Sequence, residues 1–189
     1  MNDENMIPQF IDKLQQLDRY ATDVGIFAEE EDSFYAMIAA VHEFGVAITV
    51  TPKMRAYLHS QGLHLKETTK VIIIPERSFL RTGLDKFKAI SDRVIARAIN
   101  DLFQGTLSPI GVYERIGIAA ESMVKKAMLE VKEPPLHPFT ISRRRKKSKK
   151  PALDSFTTSR RRKQSTKPLI DTGGLFQRIM SMTVERGGD

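Results

Sequence analysis

Val71-Ile72-Ile73-Ile74-Pro75-Glu76-Arg77-Ser78-Phe79-Leu80-Arg81-Thr82-Gly83 is the stretch on which the fold turns. Four consecutive β-formers are stopped by a proline, and a short charged and aromatic turn then leads into the longest amphipathic run of the chain. This pattern predicts a buried strand that ends at Pro75 and hands the chain to a helix. Phe79 and Leu80 are expected to plug the core where that helix starts. Glu76 and Arg77 read first as a local ion pair or cap, and otherwise, with Arg81, as contacts to a neighbouring subunit.

Working outward, residues 82–103 repeat at helical spacing and are expected to bury Leu84, Phe87, Ile90 or Ser91, Val94, Ile95, Ala98 and Leu102. Gly105 and Ser108-Pro109 stop this helix and start another over 109–131, ended by Pro134 and Pro135. The two make an antiparallel hairpin that can cover one face of a sheet. Upstream, 6–17 reads as an amphipathic helix through Ile7, Phe10, Ile11, Leu14 and Leu17, and 23–28 as a strand. Ser33 can cap a short buried helix over 34–44, with a strand as the other reading, and Gly45 sits where a left-handed C-terminal residue is needed. Residues 46–51 read as a strand that pairs with 71–74 as a long hairpin, leaving 52–70 as an exposed tip or contact loop with a helical turn near Met54 to Leu58. The expected class is α+β: an antiparallel or mixed β-sheet packed by an amphipathic helical hairpin, with short flanking helices and a basic C-terminal extension. Residues 1–135 form the core domain, 136–168 a basic duplicated loop, and 169–189 a segment returning to the core.

The 189 residues, 41% of them hydrophobic, suffice for one substantial core. The chain has no cysteine, which excludes a disulfide framework and cysteine-based zinc sites and fits assembly in a reducing cytoplasm. Its apolar runs are far shorter than the roughly 20 residues of a spanning helix, so no membrane association is expected. The net charge of +7 is unevenly placed. Arg143, Arg144, Arg145, Lys146, Lys147, Lys149, Lys150, Arg160, Arg161, Arg162, Lys163 and Lys167, opposed only by Asp154, give a local +11 and leave −4 on the rest of the chain.

This basic segment is a tandem duplication. Residues 140–156 align without gaps on 157–173, with ten of seventeen pairs identical, including the Arg triplet, the Lys-Pro pair and an aspartate. Half of the basic excess therefore arises by copying, which weakens total charge as a sign of nucleic-acid binding. Only the second copy runs on into Gly173, Gly174 and the apolar Leu175, Phe176, Ile179 and Met180. The second copy is expected to make the core contacts and the first to be a looped, mobile extension.

Four stretches then fall into an ordered series: His42-Glu43-Phe44-Gly45; Ile74-Pro75-Glu76-Arg77-Ser78-Phe79-Leu80-Arg81; Pro134-Pro135-Leu136 on to Ser142-Arg143; and Lys167-Pro168-Leu169-Ile170-Asp171-Thr172-Gly173-x-Leu175. The series resembles the tail-completion or head-tail joining (neck) proteins of tailed bacteriophages, also known as virion morphogenesis proteins, over roughly 24–184. The resemblance implies a structural virion protein at the head-tail junction, made in the host cytoplasm during assembly. It implies a homo-oligomeric ring, commonly a hexamer, that joins the head connector or adaptor to the tail terminator or tail tube. The duplicated basic segment and the long 52–70 excursion depart from the usual pattern.

No catalytic or metal site is legible, so no enzyme activity and no cofactor are expected. His42 and Glu43 are adjacent and point apart on a helix, and His59 and His64 are five apart, off the three- or four-residue spacing of one helical face. There is no nucleophile elbow, phosphate-binding glycine loop or HExxH sequence. The basic segment has three readings: a solvated loop, a docking element for acidic connector or tail surfaces, or a contact to packaged DNA. Docking is preferred over DNA, because only Phe156 interleaves the basic residues and base stacking lacks a platform. The alternative function is a nucleic-acid-binding protein that uses 143–167 as its footprint.

Overall fold

The computed structural model describes residues 7–27, 33–149, 167–171 and 173–186. The order of elements is α1 (Ile7–Leu17), β1 (Tyr20–Gly25), α2 (Ser33–Phe44), β2 (Val46–Thr49), α3 (Pro52–Ser60), β3 (Val71–Ile74), α4 (Leu80–Phe103), α5 (Pro109–Glu130), α6 (Pro138–Lys149), α7 (Gly174–Gln177) and β4 (Met180–Glu185). The fold is α+β. No described helix is long and apolar enough to cross a membrane.

The α4–α5 hairpin is the frame. Gly105, at φ +75°, lets the chain leave α4, and Ser108 Oγ accepts from Gly111 N at 3.2 Å to cap α5, with Pro109 in its first turn. The helices meet closely at Gly83, where a Cβ would lie 2.4 Å from Val124 Cα. The seam on α4 is therefore narrow: Gly83, Phe87, Ala98 and Leu102 are buried, while Leu84 and Ile95, expected inside, are 48% and 39% exposed.

Among the described residues the single expected sheet is instead two separate two-stranded antiparallel sheets. β2 and β3 pair as expected, from Val46↔Ile74 to Thr49↔Val71. The excursion between them carries α3, capped by Thr51 Oγ1 accepting from Met54 N, and its return is fastened by Arg55, which donates to the carbonyls of Leu65, Lys66 and Thr69. The other sheet joins β1 to β4, from Tyr20↔Glu185 to Gly25↔Met180.

β4 went unforeseen and β1 begins three residues earlier than expected, for one physical reason. α5 lies so near this ribbon that a Cβ at Gly117 would sit 2.5 Å from Thr22 Oγ1 and 2.9 Å from Ser181 Cβ. Only small side chains fit beneath the helix. Ser181 and Thr183 therefore face inward while Met180 and Met182 point out, 49% and 44% exposed, inverting the usual alternation. Glu121 on α5 secures the strand by accepting from Ser181 N at 2.8 Å and Ser181 Oγ at 3.0 Å.

One core cluster gathers Ala39, Phe79, Val124, Met128, Leu169, Leu175 and Ile179, and a second, at the hairpin tip, Ala98, Leu102 and Val112. Leu169 of the second copy, and Leu175 just after it, thus belong to the main core. The range 136–168, expected as a loop, opens instead with helix α6, and the first repeat copy is helical as far as Lys149. α2 is a helix but not a buried one: Ala39 and Glu43 are inside, while Phe34, Met37 and Phe44 are 58%, 54% and 71% exposed.

Candidate functional site at the start of helix α4

The first backbone N–H groups of a helix have no partner within it. Phe79, the N-cap of α4, offers no capping side chain. The cap comes from another element. Glu43, on the last turn of α2 and only 3% exposed, accepts at Oε2 from Phe79 N and Leu80 N, both at 3.0 Å, and at Oε1 from Arg81 N at 3.1 Å. Ser78 Oγ donates to Oε1 at 2.5 Å, and Arg81 Nε adds a bond at 3.0 Å. A carboxylate at this end also complements the helix dipole. Burial pushes the Glu43 carboxyl up, but the hydrogen bonds from Ser78, Leu80 and Arg81 outweigh it and hold it below its ordinary value.

Arg81 turns the cap into a junction. Its Nη2 donates to the Glu43 carbonyl and to Glu76 Oε1, both at 2.7 Å, and its guanidinium lies 5.5 Å from the centre of the Phe44 ring. Glu76 thus pairs with Arg81 and not with Arg77. Gly45, at φ +68°, permits the close approach, because a Cβ there would stand 3.0 Å from Glu76 N and Ile74 O.

Arg77 points the other way. It is 6% exposed; its backbone N donates to the His42 carbonyl at 2.7 Å, Nε to Pro134 O at 2.8 Å and Nη2 to Pro135 O at 3.1 Å. The expectation that Arg77 faces a neighbouring subunit is therefore corrected: the guanidinium is spent on the chain leaving α5. Beside it, burial first, then Arg77 and Arg144, lower the pKa of His42, whose Nδ1 is buried without a hydrogen-bond partner among the described residues.

Arg144 closes the set. Its Nη1 donates to Lys167 O at 2.9 Å and Ile170 O at 3.0 Å, its Nη2 to Pro168 O at 3.2 Å, and Nε lies 3.4 Å from Asp171 Oδ1. An arginine of the first repeat copy thus clasps the Lys-Pro-x-x-Asp of the second. Lys167 Nζ reaches Leu129 O at 2.8 Å, and Arg143 stacks 5.8 Å from the Phe139 ring centre. Arg144 and Lys167, expected as docking or DNA contacts, are engaged within the chain. The side chains of Arg145, Lys146, Lys147 and Lys149, and residues Lys150, Arg160, Arg161, Arg162 and Lys163, lie outside the described part.

The structural residues fall where the junction needs them. Pro75 ends β3, Phe79 is fully buried, Leu80 packs on the main core, and Gly173, at φ +89°, opens α7. Glu43, the hub, was missed in that role; its sequence signal was a lone acid in the apolar run that ends at Gly45. His59 and His64 do meet, ring centres 4.4 Å apart, because the chain reverses at Gly62 between them. Among the described residues no three His, Asp or Glu side chains gather as a metal-binding group. What the arrangement at α4 does chemically is hold: it fixes α2, the β2–β3 hairpin, α4, the segment after α5 and the C-terminal return against one another.

Compared with known protein families, curated proteins and solved structures, the chain finds no match.

Proposed function

We propose that this chain is a structural, non-enzymatic subunit of a tailed-bacteriophage neck, which closes into a ring and joins the tail to the head connector. The observation that carries the proposal is convergence. The four stretches on which the resemblance rests are far apart in sequence, yet Glu43 holds Ser78 and Arg81, Arg77 holds Pro134 and Pro135, and Arg144, the residue directly after the third stretch, holds Lys167 to Asp171. Residues that act together as a fastening belong to a part whose shape is its function. Such a subunit is a rigid wedge: wedges close by repeated heterologous contacts, and loops engage the layers above and below. Several exposed apolar side chains, among them Phe34, Phe44 and Ile73 at 58%, 71% and 73%, are available for burial between subunits.

Electron microscopy of the purified protein and of virions tests this reading. A ring at the head-tail junction is the expected result, and a monomer that coats DNA overturns it. A duplex titration reports on the alternative. Tight binding with a steep salt slope that disappears on deleting 143–167 favours a nucleic-acid-binding protein, although that deletion also removes the Arg144 clasp, so an Arg160→Ser/Arg161→Ser/Arg162→Ser variant serves as the control that leaves the clasp intact.

A further inference from the structure

Helix α1 is fastened to the tip of the α4–α5 hairpin along one line. Phe10 stacks on Phe103 with ring centres 3.9 Å apart, Lys13 Nζ donates to Leu102 O at 3.0 Å, and Leu17 packs against the Ala98, Leu102 and Val112 cluster. Beside that line lie Ile7, Ile11 and Leu14, an i, i+4, i+7 stripe that is 64%, 48% and 44% exposed. A helix that shows such a stripe to water is built to lie in an apolar groove.

The same chain carries a groove of that kind. Along the α4–α5 seam an open groove of about 540 Å³ is lined by Val94, Ile118, Ala119 and Met123, together with Ser122, Arg97 and Arg115. Ile118 is 63% exposed, the barest large apolar side chain on the hairpin. By the helical rise the stripe from Ile7 to Leu14 runs about 10 Å, and the α5 wall from Arg115 to Met123 about 12 Å. The charges match as well. Arg97 has no ion-pair partner among the described residues, and Arg115 has only Asp101, whereas Asp12 on α1 and Asp18 just after it are exposed acids and Lys13 is turned inward. Within one chain neither surface covers the other, since the stripe is exposed and the groove open.

We propose that α1 of one copy docks its Ile7, Ile11 and Leu14 stripe into the α4–α5 groove of a second copy, with Asp12 and Asp18 meeting Arg97 and Arg115. Stripe and groove are different patches, so the contact is head-to-tail and propagates until a ring closes. The inference rests on the ring reading above and supplies its subunit interface.

The test is mixing of two variants, Ile11→Glu and Ile118→Glu, each altering an exposed side chain, with circular dichroism and thermal unfolding confirming that both fold. Ile11→Ala and Ile118→Ala stand in if either does not. Each variant alone is expected to lose assembly in analytical ultracentrifugation, its association weakened about 30-fold or more. An equimolar mixture is expected to give a dimer and nothing larger, because the intact stripe of the Ile118 variant fits the intact groove of the Ile11 variant. Variants that assemble like the wild type overturn the interface and leave the ring reading standing. Monomeric variants whose mixture forms no dimer overturn the head-to-tail pairing. A wild type that stays monomeric at every attainable concentration overturns the ring reading, and this interface with it.

Discussion

Glu43 concentrates the structure's demands in one carboxylate: it caps three backbone N–H groups, accepts from Ser78 and pairs with Arg81. Replacing it with alanine leaves buried donors without an acceptor and is expected to cost about 3 kcal/mol, read as a lowered denaturation midpoint. Glu43→Gln keeps the shape and one acceptor oxygen, and is expected to cost about half as much. Because Arg81 serves the same cap, Arg81→Glu is expected to lower the melting temperature and not only to block assembly; an unchanged melting temperature with lost assembly would return Arg81 to the subunit interface. The pH dependence follows from the signs. Glu43 and Glu121 are held below the ordinary carboxyl value of 4.5, so their contribution is complete above about that pH and drains as the pH falls through their folded-state values. His42 is held below 6.5, so below that pH the unfolded chain takes up a proton that the folded chain refuses, and stability falls. Melting temperature against pH is expected to decline in two limbs, the upper removed by His42→Gln and the lower reduced by Glu43→Gln.

Among the elements, the helices were legible because a 3.6-residue apolar period needs no knowledge of partners: α4 and α5 begin and end within two residues of the expected bounds. Which face is inside was less legible. Glycine sets it here, since the close crossing at Gly83 narrows the α4 seam until Leu84 and Ile95 fall outside it. Gly83→Ala is therefore expected to force the helices apart and cost about 1–3 kcal/mol by overpacking, although alanine is the better helix former; denaturant unfolding measures it, and a stabilised variant would show the crossing to be looser than described. β4 was illegible for the related reason that Gly117 leaves room only for small side chains such as Thr22 and Ser181 beneath α5, so the two methionines of the strand face outward. At the candidate site the sequence series contained every residue of the junction but Arg144, which directly follows its third stretch, and the pairings could not be read. Glu43 finds its partners 35 to 38 positions away, and Arg77 its partners 57 and 58 away.

At the scale of the whole molecule two small sheets and a helical hairpin are held together by contacts between chain segments remote in sequence, and the duplication sits inside one of them. Arg144 reaches Lys167 across 23 positions, and the repeat length is 17. Deleting 150–166 joins Lys149 to Lys167, which recreates the Lys-Lys-Pro of the first copy and leaves every clasp residue in place. The connection shortens from 23 positions to 6, with 145–149 unwinding from α6 to make the turn. Closing a shorter loop costs less entropy, by up to about 1 kcal/mol, offset by the lost helical turn. The melting temperature of the deletion variant is therefore expected to hold or rise by up to about 4 °C. Its net charge falls from +7 to +3, because the deleted residues carry Lys150, Arg160, Arg161, Arg162 and Lys163 against Asp154. Folding and ring formation should survive, while salt-sensitive binding to polyanions should weaken. Calorimetry, ultracentrifugation and a heparin titration on one preparation separate these effects. A variant that unfolds would make residues 150–166 an integral part of the fold, and one that folds but no longer assembles would place the repeat at the subunit contact instead of outside it.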